Sequence, residues 1–404
     1  MKMNSFVFKG LIAFGVGGFL TVAHAAEPAV MTIPVDSPAF VFSPGNWVGD
    51  TGRGGSRFRQ TWNSLAYFRV AWESTTTNVV PTLLLDTSTY SRAFSNPRLV
   101  TELDGLWDGE VSCRAEIPLK GAVKPGKHVL TVYMRSSSEL LRWGVAGQSG
   151  SNVVRITGLK VEANSKPIAD APRPKWALII GDSITQGVGA YDMSCYAHLV
   201  GQGLQTQGYE YCVSACGWSG WLNRGDNPPG DVPGYYVITN SVNGAGGQYL
   251  DALSRWNKID ANHSFLDAQK HLSAYGETGQ EPTVITINYG TNDSLWRQNP
   301  SDVQASIAQA IPALRQAAPK AYIFILIPFG QFQSKTLYET VAAYQGAHPK
   351  DRRISIIDMG AEVAVSLAAP KGYWGGLHPN PRAHATFATK ITAQIMATLC
   401  ASDK

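Results

Sequence analysis

Two hydrophobic rhythms divide this chain, and they meet at a polar, Pro-rich stretch, Ala163-Asn-Ser-Lys-Pro-Ile-Ala-Asp-Ala-Pro-Arg-Pro174. Before it lie short runs of aromatic and β-branched residues: Leu65–Trp72, Val79–Leu85, His128–Met134 and Val153–Val161. Clusters of Gly, Pro, Asn and Ser separate them, as in Val123-Lys-Pro-Gly-Lys127. No helical period is sustained, so residues 30–162 are expected to form an all-β sandwich, jelly-roll-like in character. After it, apolar runs at Trp176–Ile180, Glu210–Ser214, Thr283–Asn288, Ala321–Ile327 and Ile354–Ile357 alternate with helical stretches at Tyr191–Thr206, Pro300–Ala317 and Arg382–Leu399. Asn299 followed by Pro300 is the order that opens a helix. Strand–helix alternation predicts a parallel sheet covered on both faces over residues 175–400, with 163–174 as a linker.

With 404 residues the chain is long enough for both units, and 44% apolar against 16% charged residues excludes a disordered chain. The N-terminus reads as a signal peptide over residues 1–25. Lys2 and Lys9 are its positive region, Gly10–Val22 its apolar core, and Ala23-His24-Ala25 its cleavage pattern. Export to the periplasm or the medium is therefore expected, with no membrane span in the mature chain. The formal charge of +4 falls to +2 without those two lysines, 32 basic against 30 acidic residues, which gives no support for nucleic-acid binding. Five cysteines leave at least one thiol unpaired. Cys212 and Cys216 lack a second pair at zinc spacing, so a structural metal is not expected.

Four short motifs close the strand-like runs of the second unit. Gly181-Asp-Ser-Ile-Thr185 follows Trp176–Ile180, at the sheet edge where open α/β sheets bind ligands. There Ser183 can offer a nucleophilic hydroxyl and its own N–H to an oxyanion, or simply cap a helix. Cys216-Gly-Trp-Ser-Gly220 follows Glu210–Ser214, where a Gly lets backbone N–H approach a substrate. Tyr289-Gly-Thr-Asn-Asp293 follows Thr283–Asn288, and Asn292 offers an uncharged donor, or forms an Asx turn. Gly375-Gly-Leu-His-Pro379 precedes the last helix. Among the histidines, His128 falls in a strand, His348 in a polar loop and His384 inside a helix. His378 alone sits in a Gly-rich loop that can return to the sheet edge.

In this order, Ser183, Gly217 or Gly220, Asn292 and His378 resemble the SGNH (GDSL) hydrolase superfamily over residues 175–400. Ser219-Gly220 has the family's usual dipeptide form and favours Gly220 slightly. The resemblance implies a flavodoxin-like three-layer domain and ester hydrolysis with no metal or organic cofactor. It makes Ser183 the nucleophile, His378 the base, and Ser183, Gly217 or Gly220, and Asn292 the oxyanion hole. The family's last block has an Asp three residues before the His, and here that place holds Gly375. Three consequences are open: a main-chain carbonyl of Tyr373–Leu377 orients a Ser–His dyad, Asp358 replaces the acid, or the site is weak or dead.

A β domain ahead of the hydrolase domain is similar to carbohydrate esterase family 2, some members of which use a main-chain carbonyl in place of the Asp. The pattern Gly126–Tyr133 and Ile156–Val161 is similar to that family's sandwich. An acetylated polysaccharide is then the expected substrate. Trp218, Trp221, Trp296 and Trp374 stand beside the motifs as candidate sugar-stacking rings, with burial in the core as the alternative. The stretch Leu222–Gly247 is a candidate wall over the cleft. A binding scaffold on a disabled esterase fold, and a glycan O-acetyltransferase, are the competing functions.

Overall fold

The computed structural model describes residues 29–51, 57–76, 79–145, 147–148, 150–190, 193–225, 232–239, 246–272, 280–360 and 377–402. The expected signal peptide lies outside the described residues.

The first unit is a sandwich of two antiparallel sheets. In chain order its strands are β1 (Val30–Pro34), β2 (Phe40–Phe42), β3 (Val48–Thr51), β4 (Arg57–Thr61), β5 (Tyr67–Ser74) and β6 (Thr82–Leu85). They continue with β7 (Arg98–Leu103), β8 (Leu106–Ser112), β9 (Glu116–Pro118) and β10 (Gly126–Ser136). A short helix, α1 (Glu139–Trp143), precedes β11 (Val154–Glu162) and β12 (Lys166–Pro167). One sheet runs β3-β4-β11-β6-β9 with β1 also on β11; the other runs β12-β5-β10-β7-β8 with β2 also on β5. Alternate residues of the two inner faces, among them Phe40, Phe42, Phe68, Trp72, Leu83, Leu130, Ile156 and Leu159, fill the core.

The segment 163–174 is not a free linker. Lys166 and Pro167 form edge strand β12 against Glu73 and Trp72 of β5. Ile168 N–H then bonds Ala71 O at 2.9 Å, and Asp170 takes the Arg69 guanidinium at 2.6 Å. A Pro is tolerated there because an edge strand can leave one side unbonded.

The second unit carries five parallel strands in the order β14-β13-β15-β16-β17. They are β13 (Lys175–Gly181), β14 (Tyr209–Ala215), β15 (Val284–Asn288), β16 (Tyr322–Ile327) and β17 (Ile354–Asp358). The first strand lies inside the sheet with its successor on one side and β15 on the other, so the direction of winding reverses at β13. That reversal opens a crevice at the strands' C-terminal ends. Burial on both faces explains the near-continuous apolar runs. The helices are α2 (Ser183–Gln186), α3 (Tyr196–Gln205), α4 (Thr291–Leu295), α5 (Pro300–Ala317), α6 (Ser334–Ala347) and the C-terminal helix Pro381–Ser402. Val303 and Ile307 of α5 with Leu337 of α6 cover one face; Val200 of α3 with Phe387 and Ile391 cover the other. The three layers of the flavodoxin-like expectation are thus present.

The helix expected at Tyr191–Thr206 begins later, at Tyr196. Gly187 and Gly189 take φ of 94° and 92° and turn the chain between α2 and α3. Leu65, Tyr67, Val100 and Tyr133 of the sandwich belong to the same hydrophobic cluster as Ala197, Tyr211 and Val213, so the two units share a core. Buried Glu210 on β14 fastens them. Its Oε2 accepts the Tyr67 hydroxyl at 2.5 Å and its Oε1 the Arg69 guanidinium at 2.9 Å. All five cysteines are free thiols. Among the described residues no helix is long and apolar enough to cross a membrane, and no three His, Cys, Asp or Glu side chains group as metal ligands.

Candidate active site

At the end of β13 the chain must turn sharply into α2, and Gly181 permits it: a Cβ there would fall 1.9 Å from Thr185 Oγ1. Asp182, not Ser183, caps α2, accepting the Ile184 N–H at 2.9 Å. The Ser183 hydroxyl is thereby left for another partner, and Oγ lies 2.9 Å from His378 Nε2.

His378 approaches from just ahead of the C-terminal helix. Gly189 makes room for it, since a Cβ at 189 would come within 2.9 Å of His378 Cβ and 2.5 Å of Pro379 O. Burial holds the imidazole down at about 4, so it is neutral at pH 7. His384 is a structural neighbour whose Nδ1 accepts the Tyr196 N–H at 3.1 Å. His128 is likewise structural, between Asp104 and Lys124 O.

Asp358 does not replace the missing acid. Its carboxylate accepts Gln331 Nε2 at 2.7 Å, Gly360 N–H at 2.8 Å and the Tyr338 hydroxyl at 3.2 Å. Of the loop expected to orient His378, Gly375 and its neighbours up to 376 lie outside the described residues, as does Trp374.

The two candidate oxyanion glycines separate clearly. Gly220 gives its N–H to Asn223 O at 3.0 Å, and a Cβ there would meet the Asp293 carboxylate at 2.5 Å. Its lack of a side chain serves Asp293, and its N–H is not available to a substrate, contrary to the preference for Gly220. Gly217 is the one beside the nucleophile, where a Cβ would stand 3.8 Å from Ser183 Cβ. Asn292, in the first turn of α4, donates Nδ2 to Ser219 O at 3.0 Å and to Asp182 Oδ2 at 3.4 Å. The second contact is long enough to yield to a stronger acceptor.

Ser183, Asn292 and His378 line a cavity of about 320 Å³ together with Gln186, Val188, Trp218, Leu295, Trp296 and Leu377. Two of the four expected rings, Trp218 and Trp296, are in its wall. Trp221 is not. It is fully buried, edge-on to Tyr235 and Tyr289, because the chain after Gly220 turns inward to bond Asp293. Parts of Leu222–Gly247 pack on the domain, Tyr235 and Tyr236 bonding back to Gly220 and Trp221; residues 226–231 and 240–245 lie outside the description.

Several supporting residues escaped the sequence reading. Asp293 accepts the N–H groups of Trp221, Leu222 and Asn223 at 2.8, 2.9 and 3.1 Å and so shapes the loop carrying Gly220. Burial raises its carboxyl above the usual range. Burial also pushes Asp182 up to about 7, with the Asp293 charge adding to the effect. The capping position of Asp182 is a sequence signal that was available. Buried Arg255, which bonds Ser214 O at 2.9 Å and the Tyr289 hydroxyl, has no such signal.

The structure is similar to solved carbohydrate esterases. An acetyl xylan esterase from the rumen bacterium Butyrivibrio proteoclasticus superposes with a TM-score of 0.63 at 15% identity, over 92% of this chain and 99% of that one. A family two carbohydrate esterase from Clostridium thermocellum, in complex with cellohexaose, gives 0.57 at 16% over 89% and 99%. A salicylyl-acyltransferase from a tetracycline biosynthetic pathway gives 0.58 at 13% over 91% and 98%. At these identities the likeness is one of fold. A sequence search of curated proteins found no match. Residues 179–386, just over half the chain, match the GDSL-like lipase/acylhydrolase family. With the Ser183–His378 pair set in an α/β sheet of that kind, the chain belongs to the GDSL-like lipase/acylhydrolase family, a family of carboxylic ester hydrolases.

Proposed function

We propose that this protein is an exported serine esterase that removes O-acetyl groups from a polysaccharide, with Ser183 and His378 acting as a dyad. The observation that carries the reading is the 2.9 Å contact between Ser183 Oγ and a neutral His378 Nε2 inside a walled cavity. Ser183 Oγ attacks the acetyl carbonyl carbon while its proton passes to Nε2. The negative charge on the carbonyl oxygen falls to the N–H groups of Ser183 and Gly217 and to the Asn292 amide. As the tetrahedral adduct collapses, Nε2–H gives its proton to the departing sugar oxygen. Water then attacks acetyl-Ser183, loses its proton to Nε2, and acetate leaves as Oγ takes that proton back.

The cavity has room for an acetyl group and part of the sugar that carries it, and Trp218 with exposed Trp296 offers flat surfaces at its wall for a pyranose ring. The structural neighbours named above include an acetyl xylan esterase, which supports the substrate class. The signal-like N-terminus supports export. Likeness to an acyltransferase favours a second reading, in which acetyl-Ser183 passes its acyl group to a sugar hydroxyl instead of water.

Purified protein should release acetate from at least one of acetylated xylan, acetylated glucomannan or acetylated cellulose, and from an aryl acetate. Ser183→Ala should abolish release in a folded protein. Wild-type-like turnover by that variant removes Ser183 from the mechanism, and an acetylated sugar product in place of acetate selects the transferase reading.

A further inference from the structure

A short helix of the sandwich unit packs behind the cavity wall. On α1, Glu139 is buried, and its Oε1 accepts Nε2–H of Gln186 at 2.6 Å. Its Oε2 accepts Trp143 Nε1 at 3.1 Å and the Arg142 guanidinium at 3.3 Å. Arg142, whose side chain is fully buried, in turn donates to Ala215 O at 2.8 Å and to Ile259 O at 2.9 Å. Gln186 ends the nucleophile helix α2, and Ala215 ends the strand that leads to Gly217. Two residues of the accessory unit, Glu139 and Arg142, therefore hold both segments of the site.

The chemistry of Glu139 fixes which way the Gln186 amide faces. Both carboxyl oxygens of Glu139 face donors, from Gln186 on one side and from Trp143 and Arg142 on the other, so Nε2 turns to it and Oε1 turns away. Oε1 lies over Gly217: a Cβ built there would be 3.0 Å from it and 3.8 Å from Ser183 Cβ. Gln186 also lines the cavity with Ser183 and Asn292. Ser183, Gly217 and Asn292 present donors to the ester. Gln186 presents a neutral acceptor beside them, the complement of a hydroxyl.

We propose that Gln186 accepts a hydrogen bond from a substrate hydroxyl next to the ester, and that Glu139 of the sandwich is the positioning residue that fixes its amide. The proposal rests on the acetylated-glycan reading above. An aryl acetate carries no such hydroxyl, so the comparison of the two substrates reads this contact.

The test uses the full chain and compares kcat/KM on acetylated xylan with kcat/KM on 4-nitrophenyl acetate. Gln186→Met keeps the shape of the side chain and removes the acceptor, while Glu139 retains Arg142 and Trp143 as partners. The glycan-to-aryl ratio should fall about tenfold, the worth of one hydrogen bond to a site built for it. Glu139→Gln can donate as well as accept, frees the amide to flip, and should lower the ratio by less. Should that variant fail to fold because Arg142 loses its counter-charge, Gln186→Met alone decides. An unchanged ratio in Gln186→Met, with or without a common loss on both substrates, overturns the proposal alone. A wild type active on the aryl ester and inactive on every acetylated glycan overturns the substrate reading and this proposal together.

Discussion

Ser183 Oγ stands 2.9 Å from Nε2 of His378 across 195 residues of chain, and burial takes the imidazole down to about 4. A carboxylate at its other nitrogen would move it the other way. Proton uptake from Ser183 requires the neutral ring, whose fraction rises as pH climbs through that value.

Activity should therefore rise along an acidic limb with an apparent pKa near 4 and stay level through neutrality. A kcat/KM profile on an aryl acetate from pH 3.5 to 8 checks it, with folding followed by circular dichroism at each pH. A limb at 6.5 or above would mean that a facing negative charge outweighs burial at His378.

The oxyanion hole separates the two glycines experimentally. Gly220→Ala puts a methyl group 2.5 Å from the Asp293 carboxylate and should lower the melting temperature or prevent folding. Gly217→Ala meets only the end of Gln186 at 3.0 Å, so it should fold and lose turnover, by roughly tenfold to a hundredfold for a displaced donor. Asn292→Ala should reduce kcat by roughly 10²–10³ with a smaller effect on KM. Thermal melts with initial rates on one ester suffice. A stable, fully active Gly220→Ala beside an unfolded Gly217→Ala would reverse the assignment.

The parallel sheet was legible because strands buried on both faces carry unbroken apolar runs, and α5 because Asn299 and Pro300 mark its start. The family motifs brought Ser183, Asn292 and His378 to one cavity. Where the reading failed, the deciding contact was remote in sequence. Gly220 has the favoured dipeptide form, but Asp293, 73 residues on, claims the space beside it. Trp221 looks like a stacking ring until its packing on Tyr235 and Tyr289 is seen. The linker reading saw its prolines and missed the open edge of β5, which is made by residues about 95 positions earlier. The contacts that tie Glu139, Arg142 and Arg255 to the site carry no local pattern, because Gln186, Ala215 and Ser214 lie on other elements.

Asp182 links the site to stability. Burial, with the Asp293 charge adding to it, pushes its carboxyl from 3.8 up to about 7. A raised carboxyl keeps its proton in the folded state over a range in which the unfolded chain has lost it. Folded protein then binds more protons, and stability falls as pH rises from about 4 to about 7. The histidines act oppositely: His198 and His378 are held near 4 by burial, so their contribution is present above 6.5 and lost as pH falls toward 4. The wild-type curve sums both trends, but the difference between wild type and Asp182→Asn cancels the histidines. Asn still caps α2. Any fixed cost of an amide beside Asn292 is the same at both pH values. Asp182→Asn should therefore gain on wild type between pH 4.5 and pH 8 by up to roughly 3 kcal/mol, the worth of the roughly two and a half pKa units that fall inside that window. Urea unfolding of both proteins at the two pH values measures it. If the difference between them is the same at pH 4.5 and pH 8, Asp182 is ionised throughout, and the buried carboxyl is not held protonated.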